Sequence, residues 1–307
     1  MTSDYVIAFL ASTAGSATPL VMAAMGELVT ERAGVMNLGI EGMMLVGAVV
    51  GFMVTLGTGS MSLGLLAAMV AGMAMALIFA FLVLTLQTNQ VATGLALTLF
   101  GLGLSAFLGR GLVGQTVAPM PHLSVPLLSD LPFVGPLLFR FDAMVYGSVL
   151  LALVISYLLA RSRIGLVIRA VGESPHSAHA IGMHVVRLRY GAVLFGGAMA
   201  GLGGAYLSLA LTPMWVEGMT AGRGWIALAL VVFATWKPRG VILGAYLFGG
   251  VTVLQFHGQG FGLEVPSEFL SMLPYLATIV VLVIICRNPQ TILLNKPMSL
   301  GHNFKAD

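Results

Sequence analysis

The sequence predicts an all-α fold, a polytopic transmembrane helix bundle of about nine spans (eight to ten), forming a single membrane domain over residues 1–307. Three observations predict it. Apolar residues make up 58% of the 307 positions and charged residues only 8%, with a mean hydropathy of +1.00; a soluble domain carries roughly 25% charged residues. Apolar runs near the ~20 residues that a spanning helix needs recur along the whole chain. Lys and Arg are confined to a few short polar segments. The 39 glycines suit close helix contact in lipid.

The elements follow in order. Tyr5 to Gly26 is the first span, with Pro19 as a possible kink, and Glu27 to Asn37 reads as a polar link. Leu38 to Leu56 is apolar again, and Gly57 to Ser60 is a tight turn. Met61 to Leu86 and Val91 to Leu108 are spans joined by the short polar link Gln87 to Gln90. Gly109 to Asp142 is a long loop with five prolines (Pro119, Pro121, Pro126, Pro132, Pro136), so it is not a continuous helix. Ala143 to Ala160 and Gly191 to Leu211 span on either side of a polar island. Thr220 to Trp236 is a short span, Gly240 to Phe256 another, and Glu268 to Cys286 completes the nine. Met1 to Tyr5 lacks basic residues, so the first apolar run is expected to be retained rather than cleaved.

Charge sets the orientation. With the island on the inside, Arg32, Arg161, Arg163, Arg169, Arg187, Arg189, Lys237, Arg239, Arg287, Lys296 and Lys305 lie on that side. Only Arg110, Arg140 and Arg223 lie on the other. The C-terminus is then inside, and the proline-rich loop 109–142 is outside.

The island, Arg161 to Tyr190, holds five of the fourteen Lys and Arg residues and three of the six histidines. Within it a short helix of about two turns is expected from Pro175 to Ile181. Ser174 suits the N-cap, Pro175 the first helical position, and Glu173 the positive end of the dipole. Gly182 can close the helix in the left-handed conformation. Two turns are unstable alone in water, so this helix needs a body to pack on, in this chain or in a partner.

Small residues four apart, such as Gly47 and Gly51, Gly197 and Gly201, Ala200 and Gly204, and Gly240 and Gly244, point to close helix packing inside one subunit or to a subunit interface. No GxxxxGK[ST], HExxH or GxSxG occurs. No catalytic residue and no metal site is expected, and nothing argues for an enzyme. The single cysteine, Cys286, excludes an intrachain disulfide and a CxxC site. His176 and His179 are three apart, but read as solvated surface. The net charge of +3 is small and sits in loops, which argues against nucleic acid and for lipid as the surroundings. The informative polar residues are Asn37, Glu41, Asn89, Gln90, Thr93, Arg223 and Trp225, at or just inside span ends; Arg223 apart, they are the candidates for a translocation pathway. An ionisable group in a span marks a functional site by default. Glu41, between Gly39 and Gly42, either lines a translocation pathway at a broken helix or pairs structurally, with an arginine such as Arg32 or as a cap.

Four segments carry a resemblance: GELVTERAGVMNLGIEGMMLVGA (26–48), RAVGESPHSAHAIGMHVVRLRY (169–190), GGAMAGLGGAYLSLA (196–210) and MTAGRGWIALALVVFATWKPRGVILGAYLFG (219–249). They resemble the permease subunits of bacterial ABC importers for sugars, branched-chain amino acids and nucleosides, and look most like the nucleoside or simple-sugar permeases. The resemblance implies a multi-pass protein of the bacterial inner membrane with no cofactor of its own. ATP and Mg would sit on a separate ATPase subunit. A second permease chain, of a different sequence in this branch, and a periplasmic or lipoprotein substrate-binding protein would complete the assembly. It implies that Gly172, Glu173, Pro175, Ala178 and Gly182 form a coupling helix that docks in a cleft of the ATPase. The rivals are an ion-coupled secondary transporter, which would carry several ionisable groups deep in its spans, a channel, and a structural scaffold.

Overall fold

A computed structural model describes residues 2–123, 134–260, 267–286 and 295–305. Helix α1 (Thr2–Arg32) is followed by α2 (Ile40–Thr58), α3 (Met61–Ala80, extended by a wide π-type turn at Phe81–Thr85) and α4 (Gln90–Gly109). A short turn, α5 (Val134–Leu138), precedes α6 (Ala143–Arg161), α7 (Arg163–Glu173) and α8 (Pro175–Ala180). Helix α9 (Val185–Tyr206) also ends in a π-type turn, Leu207–Leu211. Helices α10 (Arg223–Phe233), α11 (Pro238–Gly260) and α12 (Ser267–Cys286) follow. Among the described residues, seven helices are long and apolar enough to cross a membrane, and α10 and α12 match the two remaining apolar segments of the sequence.

Two elements differ from the sequence expectation. The first span does not stop at Gly26. Helix α1 runs on to Arg32, because Glu27 and Glu31 find buried partners instead of water. The apolar segment 220–236, expected as a short span, is shorter still. Its helix, α10, has 11 residues, about 16 Å long, half of a ~30 Å hydrocarbon core. Positive φ at Ala221 and Gly222 fixes its start, and positive φ at Thr235 and Trp236 its stop.

Helix α9 is the hub, packed against α1, α2 and α3. Helices α2 and α9 run parallel: Met44 lies against Gly204, and the Ser208 hydroxyl donates to the Ala48 carbonyl at 2.8 Å. A methyl group added at Gly47 would strike the Gly201 backbone, one at Gly197 the Gly72 backbone, and one at Gly204 the Met44 carbonyl. Gly240 and Gly244 meet Ala234 and Leu230. The small-residue pairs therefore close contacts inside one subunit. The opposite faces of α3, α4 and α6 expose Leu66, Val70, Leu99, Phe107, Leu150 and Leu153, as lipid-facing helices do.

Gly204→Val should lower the thermal stability of the detergent-purified protein by about 1–3 kcal/mol or more, the cost of overpacking a tight contact. Gly103→Ala, where nothing lies within 4 Å, should leave the melting temperature unchanged or raise it slightly, since alanine is the better helix former.

Candidate functional site

Two helices begin inside the bundle, and they meet. Helix α2 starts at Ile40, and its first ten residues, 40–49, are all buried. Helix α10 starts at Arg223, where the chain returns from the far end of α9. A helix start leaves backbone N–H groups unpaired, and burying them away from water costs about 1–3 kcal/mol each. Glu41, only 5% exposed, satisfies those of α10 and its approach. Its Oε1 accepts from Thr220 Oγ1 at 2.6 Å and Gly222 N at 2.9 Å, and its Oε2 accepts from Gly224 N at 2.6 Å. The carboxylate also sits at the positive ends of both helix dipoles. It does not pair with Arg32: that guanidinium donates to the Trp236 carbonyl at 2.6 and 3.1 Å and to Asn295 O at 3.3 Å. Of the two roles open to Glu41 in the sequence, the geometry displays the cap, but a cap in the interior.

The strap leading into α2, residues 33–39, is non-helical and mostly buried. Non-helical backbone at such depth must be satisfied by protein. Glu27 Oε1 accepts from Asn37 N at 3.0 Å, Gln90 Oε1 from Met36 N at 2.8 Å, and Asn37 Oδ1 from Gly39 N at 3.0 Å. Thr98 Oγ1 donates to Leu38 O at 2.9 Å. Asn37 and Gln90 thus join Glu41 in one polar framework around the two interior helix starts. Asn89 lies apart, capping α4 by accepting from Ala92 N at 3.0 Å, and Thr93 pairs with Thr88 at 2.9 Å. Trp225 is half-buried on α10.

At the polar end of the bundle, α8 forms as its local signals dictate. Ser174 Oγ accepts from Ser177 N at 3.3 Å, Pro175 takes the first position, and Gly182 has φ +87°. The amphipathic α7 before it was not anticipated, and neither was the partner of α8. That partner is the C-terminal segment 295–305. Phe304, 4% exposed, packs with Val171, Ala178 and Val185 and sets its ring edge-on to His176 and His179. Gly172 O accepts from Ser299 Oγ at 2.6 Å, and Glu173 Oε2 accepts from Met298 N at 3.1 Å. Ala178 and Pro175 therefore face inward. Outward, α8 presents Ser177, Ala180 and Ile181, the last 72% exposed.

The same segment continues to the strap. Asn303 Nδ2 donates to the carbonyls of Gln87 and Thr88 at 2.8 and 3.0 Å, and its Oδ1 accepts from Gln90 Nε2 at 3.1 Å. Arg189, buried on α9, donates to Ala33 O at 3.1 Å, Ser299 Oγ at 3.0 Å and His302 O at 3.2 Å. A continuous set of contacts runs from α8 through 298–304 to Gln90 and Met36. Glu27, Glu31, Trp236, Arg189 and Asn303 were missed in the sequence. The available signal was the Glu-x-x-x-Glu-Arg cluster at residues 27–32 closing an apolar run.

Comparison with known proteins places this architecture. Residues 9–285 match the family described as branched-chain amino acid transport system / permease component. A putative glucose ABC transporter permease protein of Haloferax volcanii is 42% identical, over 99% of this chain and 99% of its own length. A nucleoside ABC transporter permease protein of Lactococcus lactis is 33% identical over 86% of this chain and 88% of its own. A guanosine ABC transporter permease protein of Bacillus subtilis is 33% identical over 87% and 88%. No solved structure matches.

Replacing Glu41 tests the cap. Glu41→Ala strands two buried donors, Thr220 Oγ1 and Gly224 N, and one part-buried donor, Gly222 N, and should destabilise the purified protein by about two to three times the ~1–3 kcal/mol cost of one. Glu41→Gln keeps an acceptor oxygen for two of the three and should fall between Ala and wild type in thermal unfolding. Equal melting temperatures for all three proteins would remove the cap from the account.

Proposed function

The chain belongs to the permease-component family of branched-chain amino acid transport systems, a multi-pass membrane component of ABC transporters, and from that premise we propose the rest of the machine. It is one of two permease subunits, paired with a different chain, in the inner (cytoplasmic) membrane. Separate ATPase subunits carry ATP and Mg; a periplasmic or lipoprotein binding protein delivers the substrate from outside. The loop between α4 and α6, residues 109–142, is part of the outer face; its residues 124–133 lie outside the described residues. The cargo is a nucleoside, polar and uncharged. A second reading, a simple sugar, is favoured by a specific observation: 42% identity over nearly the whole chain to a protein named as a putative glucose permease.

The observation that carries the mechanism is the contact path between α8 and the strap. Helix α8, with Gly172, Glu173, Pro175, Ala178 and Gly182 setting its caps and inner face, is the coupling helix. Its docking surface is Ser177, Ala180 and Ile181. Movement of α8 displaces Phe304 and Asn303, and through Gln90 it pulls on the strap and the start of α2. The junction at Glu41 then shifts between two packings that ATP binding biases, the form that alternating access takes. Asn37, Glu41, Gln90 and Trp225 border the pathway in this reading, and Asn89 and Thr93 stabilise the start of α4 beside it. The three relatives are all named as ABC permeases, which favours this over an ion-coupled carrier.

Ile181→Glu should leave membrane insertion and thermal stability at wild-type values, because Ile181 is exposed, and should abolish ATP-driven uptake by the reconstituted complex. Unimpaired uptake and copurification with the ATPase would make α8 a linker only. Topology is checked in a Cys286→Ala background. A cysteine at Gln115 should react with an impermeant thiol reagent from outside, and one at Ser177 only when the inner face is opened; the reverse pattern overturns the orientation. Uptake of uridine, adenosine, ribose, galactose and glucose in parallel decides the cargo. Saturable uptake of a sugar alone replaces the nucleoside reading with the second.

A further inference from the structure

On the far side of the Glu41 junction a cavity of about 330 Å³ opens between the start of α10, the last turns of α11 and the first half of α12. Arg223, Thr252, Gln255, Phe256 and Tyr275 line it. Its volume lies within the range of small-molecule sites, roughly 300–1,000 Å³. Its depth follows from the helices. Phe256 is 18 residues along α11 from the polar end, about 27 Å, and Tyr275 is 8 residues, about 12 Å, into α12 from the opposite end. The cavity therefore belongs to the half of the bundle facing away from α8.

Its chemistry is unusual for a lipid-facing surface. Arg223 is held by Nη1 bonds to the carbonyls of Met219 and Thr220 at 3.2 and 3.3 Å, and the Glu41 carboxylate accepts from the N–H groups of both its chain neighbours, Gly222 and Gly224. A cation in the lining thus stands next to a carboxylate just behind it. Thr252 donates its own proton to Phe248 O at 2.9 Å, which leaves its oxygen free to accept. The Gln255 carboxamide makes no hydrogen bond among the described residues. Half-buried at the cavity wall, that carboxamide is available to a ligand. Phe256 and Tyr275 add two exposed aromatic rings at 60% and 51%, and such rings take a flat base or the C–H face of a sugar. Tyr275 also donates to Ala221 O at 3.3 Å, so an occupant here touches the segment that leads into the Glu41 junction.

We propose that this cavity is a binding site for an uncharged, hydroxyl-bearing ring, the chemistry that a nucleoside's ribose and a free sugar share. The ring stacks on Phe256 or Tyr275, and its hydroxyls bond Gln255, Thr252 and Arg223. The proposal rests on the importer reading and deepens it, since it places a waypoint for cargo directly above the two interior helix starts. The Glu41 carboxylate, bound to both chain neighbours of Arg223, repels an acidic substrate, so the site disfavours carboxylates and phosphates.

The test uses the whole complex, with its ATPase and binding protein, in proteoliposomes. Gln255→Cys and, independently, Thr252→Cys are made in the Cys286→Ala background, with Leu254→Cys, one residue outside the lining, as the control. The rate of modification by a small thiol reagent is measured with no ligand, with uridine and with glucose. At a ligand concentration about ten times its dissociation constant, occupancy should slow modification at residues 255 and 252 about tenfold, with no change at 254. Protection by uridine assigns the site to nucleosides, and protection by glucose assigns it to sugars. If the wild-type complex takes up uridine or glucose yet neither protects residue 255 or 252, the site is refuted while the importer reading stands. If the wild-type complex takes up neither, it is the importer reading that fails, and this site falls with it.

Discussion

The structure depends on one constraint: backbone buried in a membrane-sized bundle must find its hydrogen bonds inside the protein. Most of the chain obeys by staying helical. Among the described residues, two buried segments beside interior helix starts do not, the strap 33–39 and the approach to α10, and both draw on side chains. Glu41 closes the second with three bonds of 2.6 to 2.9 Å. Glu27, Asn37, Gln90 and Thr98 close the first. A full-length helix in either place would need no such help. The polar groups are therefore the cost of having two helices that start in the interior.

Around this polar centre the packing is tight. Helix α9 meets α2 and α3 with glycine against glycine or backbone, too close for even a methyl group. Such contacts give van der Waals attraction in place of a hydrophobic driving force that lipid does not supply. They make α2, α3 and α9 one stiff body, with α1 fixed to it where Gly26 meets Met199 and Gly196. The segment 295–305 bridges that body to α7 and α8, through Arg189 on one side and Phe304 on the other. A set of contacts thereby runs from α8 to the polar framework without passing through the glycine core.

What could be read in the sequence was what is decided locally. Hydropathy located the spans because a run of apolar residues must be covered by lipid or protein whatever its neighbours. The caps of α8 were legible because Ser174, Pro175 and Gly182 act within a few residues of themselves. Glu41 stood out because a carboxylate in an apolar run is costly. What escaped was decided at a distance. Helix α1 passes through Glu27 and Glu31 because Asn37 and Trp236 wait for them, the latter 205 positions away. The halving of 220–236 depends on left-handed residues that are not glycines, Ala221, Thr235 and Trp236, and no composition rule flags those. Residues 295–305 have no periodicity, yet Phe304 is buried beneath α8, so Ala178 faces the chain's own tail rather than outward.

The central claim is that Glu41 holds the start of α10 to the start of α2 in the interior. Amide hydrogen exchange of residues 218–226 in the purified protein tests it most directly. The account predicts slow exchange at Gly222 and Gly224 in the wild type. It predicts a selective loss of that protection in Glu41→Ala, while the glycine contacts of α9 stay protected. Fast exchange at both amides in the wild type, or protection unchanged in Glu41→Ala, would contradict it.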